Sequence, residues 1–350
     1  MGLKFIQTMS TDVPAKPKPK LRWYQFSLRS LLIFVTLFAV ACSWFAVKMG
    51  QAKRQKESVE AIKKAGNDAL YELHVDDFGD PLVDPQPSLP NWFLNMFGED
   101  FFYDVVYVRL HFHLPEKRLE YIKMLPKVRE IVIDQPEISD SDLENIEGLT
   151  ELKRLVIRDE SITDAGLVHV EGLESLNEIE LINTKTSDAG LVHLSGLTEL
   201  DTLSVIGTSV SGSGLIYLKK MPKLQSLSLS GTKLTGGGWE CLGNLVQIQG
   251  LDLSHSNIDD ADLAQIKKLK NLHYLDLAVT DITDEGMKHV KECGQLRELT
   301  LNHTKISDIG LKQLRELHQL EKLAVYCTKV SKEEVKELQK ALPKLKDIWE

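Results

Sequence analysis

One segment of 24 residues recurs nine times between Val128 and Lys344. The copy from Leu296 to Gln319 reads LRELTLNHTKISDIGLKQLRELHQ, and the shared template is L-x-x-L-x-L-x-x-T-x-I-[ST]-D-x-G-L-x-x-L-x-x-L. A unit this short cannot bury its own apolar face, so successive copies must stack and complete one continuous core. Such a stack offers a long surface and no enclosed pocket. Recognition is therefore expected of it, rather than catalysis.

The template predicts strand, turn and short helix in every copy. In the copy that starts at Leu152, Leu155 and Ile157 alternate and point inward from a strand. Arg154, Val156 and Arg158 point the other way. Serine or threonine fills the ninth position from Thr184 to Thr328, where a hydroxyl can satisfy backbone groups as the chain leaves the strand. The twelfth position is Ser, Thr or Asp from Ser139 to Ser331, the residue types of a helix N-cap. Asp164, Asp188, Asp284 and Asp308 follow it, and a negative charge favours a helix N-terminus. Leu167, Val170 and Leu173 then bury one helix face. A shorter first turn runs from Val105 to Lys127, and Leu345, Ile348 and Trp349 end the chain as a truncated strand.

These residues, from about 105 to 349, resemble the leucine-rich-repeat family, in its ribonuclease-inhibitor-like and cysteine-containing form. The resemblance implies an α/β, right-handed solenoid with parallel strands on a concave face and short helices on a convex face. It implies protein recognition and no shared activity. The segment FSLRSLLIFVTLFAVACSWFAV and the stretch GEDFFYDVV before the first turn are also similar to membrane-anchored repeat proteins of planctomycete bacteria.

Leu31 to Val47 is free of charge and just long enough to span a bilayer as a helix. Arg29 and Lys48 bracket it, and Trp23, Tyr24 and Trp44 suit the two interfaces. The expected division is a disordered basic tail over 1–26, a transmembrane helix over 27–48, a linker helix and N-terminal cap over 49–104, and the solenoid over 105–350. Basic residues flank both sides of the apolar segment almost equally. We read it as a signal-anchor of a single-pass membrane protein with the repeats on the extracytoplasmic side. A cleaved signal after Ala39-Val40-Ala41 and a lipid anchor on Cys42 are the rivals. In the cap region Val59, Ile62 and Ala65 form an apolar stripe, Gly66 stops the helix, and Ala69 to Val75 alternates like a strand. Trp92, Phe93, Phe97, Phe101 and Phe102 are expected to cover the first repeat.

Residues 1–56 hold ten Lys or Arg against Asp12, whereas the whole chain carries −9. The body is therefore strongly acidic and repels phosphate backbones, so no nucleic-acid partner is expected. No G-x-S-x-G, H-E-x-x-H or G-x-x-x-x-G-K-[ST] motif occurs. The run Gly236-Gly237-Gly238 falls where other copies start a helix and reads as a drifted repeat. His169 and His193 share a helix position and are expected to face solvent. His303 and Cys327 are neighbours, but two ligands do not make a zinc site. The four cysteines are too scattered for a disulfide framework. No catalytic residue, cofactor, metal or small-molecule substrate is expected.

The middle of the outward strand face is bland, with Thr202, Ser204, Ser226 and Ser228. Its C-terminal half carries Asp252, His255, Tyr274, Asp276, Asn302, His303 and Tyr326, which we take as the partner-binding candidates. Tyrosine among mixed polar neighbours suits an interface. The expected function is a membrane-anchored, non-enzymatic module that recognises a protein or an envelope component. The alternatives are an adaptor like the substrate receptors of ubiquitin ligases, and a structural envelope protein.

Overall fold

The computed structural model describes residues 28–75, 82, 87, 89–111, 119–134 and 138–349. The basic tail of 1–26, with Trp23 and Tyr24, and most of the acidic loop before Pro90 lie outside them. The chain divides into two compact units, Met1–Gly50 and Gln51–Glu350.

The first unit is described from Leu28, where a helix, α1, begins that runs to Lys64. Its apolar residues from Leu31 to Val47 are exposed. This stretch is long and apolar enough to cross a membrane. No break separates the expected transmembrane helix from the expected linker helix. Lys48 to Lys64 contains neither proline nor a helix-stopping glycine pair, so nothing interrupts the ladder.

In the second unit, α1 buries Ala52, Gln55, Ser58, Val59 and Ile62 before Gly66 ends it at φ 84°. Twelve strands follow in one sheet, ordered as in the sequence. They are β1 (Asp68–Tyr71), β2 (Val105–Leu110), β3 (Glu130–Ile133), β4 (Arg154–Ile157), β5 (Glu178–Ile182), β6 (Thr202–Ile206), β7 (Ser226–Ser228), β8 (Gly250–Asp252), β9 (Tyr274–Asp276), β10 (Glu298–Thr300), β11 (Lys322–Ala324) and β12 (Asp347–Trp349). Among the described residues β1 and β2 pair antiparallel and every later neighbour is parallel. The fold is thus an α/β repeat, and from β3 to β11 paired residues lie 24 positions apart, as Leu155 with Ile179 and Ile179 with Leu203.

The template leucines are the core. In one copy Leu155, Ile157, Ile162, Leu167, Val170, Leu173 and Leu176 are all fully buried. Each such side chain contributes about 1.5–3 kcal/mol by leaving water. The expected short helices are 3-10 turns in the early copies, such as Gly166–Val170 and Gly190–Leu194, and α-helical in later ones such as Gly237–Gly243. Apolar spacing of three, as in Leu167, Val170 and Leu173, suits a helix with three residues per turn.

The cap differs from its expected form. The antiparallel β1 covers the edge of β2, and Val59 and Ile62 of α1 join the apolar core. The aromatic residues lie on α2 (Asn91–Phe97) and α3 (Glu99–Phe102) and pack largely on one another. Phe93 and Phe102 ring centroids are 4.9 Å apart and those of Phe97 and Phe101 are 5.3 Å apart, while only Phe101 is buried. At the other end β12 closes the sheet beside the long last helix, Lys332–Ala341.

Candidate recognition surface

Successive copies are clasped by their polar residues. The backbone N–H of Ser187 donates to Oδ1 of Asp164 at 2.7 Å and its hydroxyl donates to Oδ2 at 2.6 Å. Thr163 holds Asp140, Thr283 holds Asp260, Ser307 holds Asp284 and Ser331 holds Asp308 in the same way. The hydroxyl still accepts from the N–H two residues on, as Thr163 does from Ala165 at 3.2 Å. The twelfth residue therefore caps its own turn and grips the copy before it. Gly212 and Gly236 stand where the aspartate would be. A Cβ at Gly212 would lie 2.5 Å from the Cα of Gly238, so the glycine run marks a closer backbone approach. At the ninth position Thr232, Ser256, Thr280 and Thr304 donate to the carbonyl three residues back, each at 2.6 Å. Thr184 instead donates to Thr186.

With copies locked in register, outward strand side chains form rows across the sheet. In the N-terminal half these rows neutralise themselves. Arg154 meets Glu130 at 2.5 Å, Glu178 at 3.0 Å and Glu180 at 2.5 Å. Arg158 meets Asp134 at 2.6 Å and Glu180 at 3.6 Å, and Arg109 meets Asp134 at 2.8 Å. Burial raises the Asp134 carboxyl, but Arg158 and Arg109 outweigh it and hold the group below its ordinary range. Val156 points outward as expected, yet it is fully buried, as is most of Val132. Arg154 and Arg158 flank Val156 along its strand and both reach Glu180, its register partner, an arrangement in which arginine stems shield apolar surface. Sequence reasoning missed this network. Its signal was available as the alternation Glu130, Arg154, Glu178 at one template position.

The C-terminal half is different. Asp252 and Asp276 are register partners on β8 and β9. Asp252 accepts from the Ser228 hydroxyl at 2.8 Å and the Ser254 N–H at 2.9 Å. Asp276 accepts from the Ala278 N–H at 2.8 Å and from the Tyr274 hydroxyl at 3.2 Å. The ion pairs of this half include Lys305 with Asp281 and Lys322 with Glu298. Among the described residues none reaches Asp252 or Asp276. Burial pushes the Asp276 carboxyl up, and the charge of Asp252 adds to it, against the Ala278 N–H, the Tyr274 hydroxyl and nearby His255. Burial and the same two carboxylates push the Tyr274 phenol far up, so it remains a neutral donor.

The seven candidate residues therefore fall into two groups. Asp252, His255, Tyr274 and Asp276 surround the carboxylate pair. Asn302, His303 and Tyr326 form the second group, with His303 and Tyr326 rings edge to face at 5.8 Å. Tyr326 is 56% exposed. Asn302 is committed to the fold, since its Oδ1 accepts from the Tyr326 N–H at 2.7 Å. His255 and His303 leave their strands at φ 55°, in one column with Asn183, Val279, Cys327 and the glycines Gly207 and Gly231. They lie at the rim of the sheet and not on its flat face.

His169 and His193 are not free in solvent as expected. Each Nδ1 lies 2.5 Å from a glutamate of the preceding copy, Glu147 and Glu171. Cys293 is fully buried, and burial pushes its thiol up to about 11. Among the described residues no group of three or more His, Cys, Asp or Glu is placed to hold a metal ion.

A family profile described as Leucine Rich Repeat matches residues 223–245, and a second, described as Leucine Rich repeat, matches residues 268–289. The matched copies are leucine-rich repeats, and the other copies share their template. Solved leucine-rich-repeat structures resemble this one at low identity. An internalin of Listeria monocytogenes is 15% identical, with 70% of this chain and 86% of that chain covered and a TM-score of 0.46. A leucine-rich-repeat protein of Leptospira interrogans is 19% identical, with 65% of this chain and 56% of that chain covered and a TM-score of 0.46. A plant peptide hormone receptor, solved in complex with its peptide, is 16% identical, with 65% of this chain and 40% of that chain covered and a TM-score of 0.43. No curated protein matches this chain.

Proposed function

We propose that this chain is a membrane-anchored recognition module whose C-terminal strand face binds a basic segment of a protein partner. A leucine-rich-repeat fold supports a protein-interaction module. The observation that carries the finer reading is the asymmetry between the two halves of the sheet. Carboxylates of the N-terminal half are matched by Arg109, Arg154 and Arg158. Asp252 and Asp276, side by side and partly buried, meet no cation among the described residues.

A lysine or arginine from a partner supplies the missing charge. Tyr274 stands beside it as a neutral donor with an apolar ring, and Tyr326 with His303 adds an aromatic rim. Binding is the activity of this surface, and no step of bond making or breaking is assigned to it. The exposed apolar part of α1 supports anchoring in the membrane, and the extracytoplasmic side for the repeats is part of the proposal. A signal sequence passes the same test of length and apolarity, and protease shaving of intact cells separates side and retention.

The binding test uses the full chain immobilised and exposed to extract of its native cells, beside Asp252→Asn/Asp276→Asn. The proposal expects a captured protein that the double variant loses and that high salt releases. Undiminished capture by the variant overturns it. The Asp276 carboxyl is raised, so its charged form is disfavoured by folding, and the lost stability appears as pH rises through its folded value. Asp276→Asn is therefore expected to raise the melting temperature at neutral pH while it removes binding.

A further inference from the structure

We propose that α2 is a second membrane contact, an interfacial helix that lays Trp92 and Met96 into the headgroup boundary of the bilayer that α1 enters. The inference rests on the anchoring reading above and goes beyond it.

α2 has the sequence NWFLNMF, with no charged residue and no buried one. Trp92 is 63% exposed and Met96 is 64% exposed. They are four residues apart and share one edge of the helix. Phe93 turns to the other side and packs on Phe102 of α3 and on Phe97. The helix is thus held by its inner rings; Trp92 stands edge to face against Phe93 at 5.1 Å, and the rest of its ring and Met96 remain exposed. An outward-facing tryptophan and methionine on an uncharged helix are costly in water, whereas tryptophan favours the membrane interface.

The position of α2 in the chain names the bilayer as the occupant. Gln55 donates through Nε2 to the carbonyl of Tyr103 at 2.8 Å, and the Tyr71 hydroxyl donates to Asp100 at 2.6 Å, so α3 is tied to the second unit beside Gln55. Eight residues separate Gln55 from Val47, the last residue of the apolar run. However the chain is inclined, that is a covalent reach of at most about 29 Å. Lys48, Lys53, Arg54 and Lys56 lie in or just beyond that interval with no acid before Glu57. Such a juxtamembrane basic run is drawn to anionic headgroups. An exposed aromatic edge is therefore linked through a short covalent path to the apolar run, and that path carries charge that favours lipid.

The test places the full chain in nanodiscs of phosphatidylcholine and phosphatidylglycerol whose acyl chains are brominated near the headgroup. Trp23, Trp44 and Trp349 are replaced by Phe, which leaves Trp92 and the buried Trp239. A companion also carries Trp92→Phe and gives the Trp239 baseline. A third restores Trp44 in that companion and reports the anchor. The proposal expects a loss of Trp92 emission in brominated discs and none in the companion. If Trp44 is quenched and Trp92 is not, the α2 contact is overturned while the anchor stands. If neither is quenched, both fall. Quenching of Trp92 alone sustains the α2 contact and removes the span.

Discussion

The carboxylate of Asp164 occupies the space that a Cβ on Gly190 would need, so the aspartate of one repeat and the glycine of the next are a single fitted pair. Asp140 stands in the same relation to Gly166, where a Cβ would lie 2.6 Å from Oδ1. Gly190 has no left-handed φ, so its role is room and not backbone freedom. The motif [ST]-D-x-G is therefore an instruction for stacking: the aspartate grips Ser187 of the next repeat, and the glycine three residues beyond clears the site.

Substitution at this pair tests the fit. Gly190→Ala forces the Asp164 carboxylate away and is expected to cost about 1–3 kcal/mol, although alanine is the better helix former. Asp164→Ala removes two hydrogen bonds to a charged acceptor and is expected to cost about 1.5–3 kcal/mol. The double variant is expected to lose less than the sum, because one change vacates the space the other fills. Urea denaturation of the four proteins gives the coupling, and strict additivity contradicts the pairing.

Val279 is the one β-branched residue in the left-handed column, at φ 55° and 41% exposed. A Cβ-branched side chain is strained there, while asparagine tolerates it and already serves at Asn183. Val279→Asn is expected to stabilise the fold by about 1 kcal/mol. A lower denaturation midpoint would show that the valine packs in a way that outweighs its backbone strain.

The clasps also set an acid limit. The Ser331 N–H is the main influence that holds the Asp308 carboxyl below its ordinary range, with the Ser331 hydroxyl and Lys312 helping against burial. At Asp188 burial raises the carboxyl, but Ser211, Ser213 and the N–H groups of Gly214 and Gly212 outweigh it and leave it low. A carboxylate with a depressed folded pKa contributes stability that is whole above its unfolded value, about 3.9, and drains away as pH falls through the folded value. The contribution of these clasps is expected to be whole from neutral pH to about 5 and to fall below about 4. Asp308→Asn is expected to make that fall shallower. An unchanged slope would remove Asp308 from the account.

Much of this was legible in the sequence because it is periodic and local. The buried leucines, the inward alternation of Leu155 and Ile157, the ninth-position hydroxyls and the final strand at Trp349 follow from a period and its polarity. The rest involves residues in different repeats or without a period. Ser187 and Asp164 each read as a local helix-start signal, and their mutual grip appears only when copies stack. Val156 read as outward-facing, but its burial beside Arg154 and Arg158 depends on their links to Glu180 of the next strand, which one copy does not show. The bond from the Tyr326 N–H to Asn302 Oδ1 joins two copies and is invisible in one. The aromatic residues of α2 and α3 sit outside the repeat, so no template said which way they turn.

The most direct measurement is photo-crosslinking in native cells from a single reactive residue. One chain carries it at Thr300, in the strand row with Asp252 and Asp276, and another at exposed Ile216 on the helical side. The account predicts a protein adduct from position 300, none from position 216, and loss of the first when Asp252 and Asp276 are both asparagine. An adduct from position 216 alone, or one from position 300 that survives the double substitution, would contradict it.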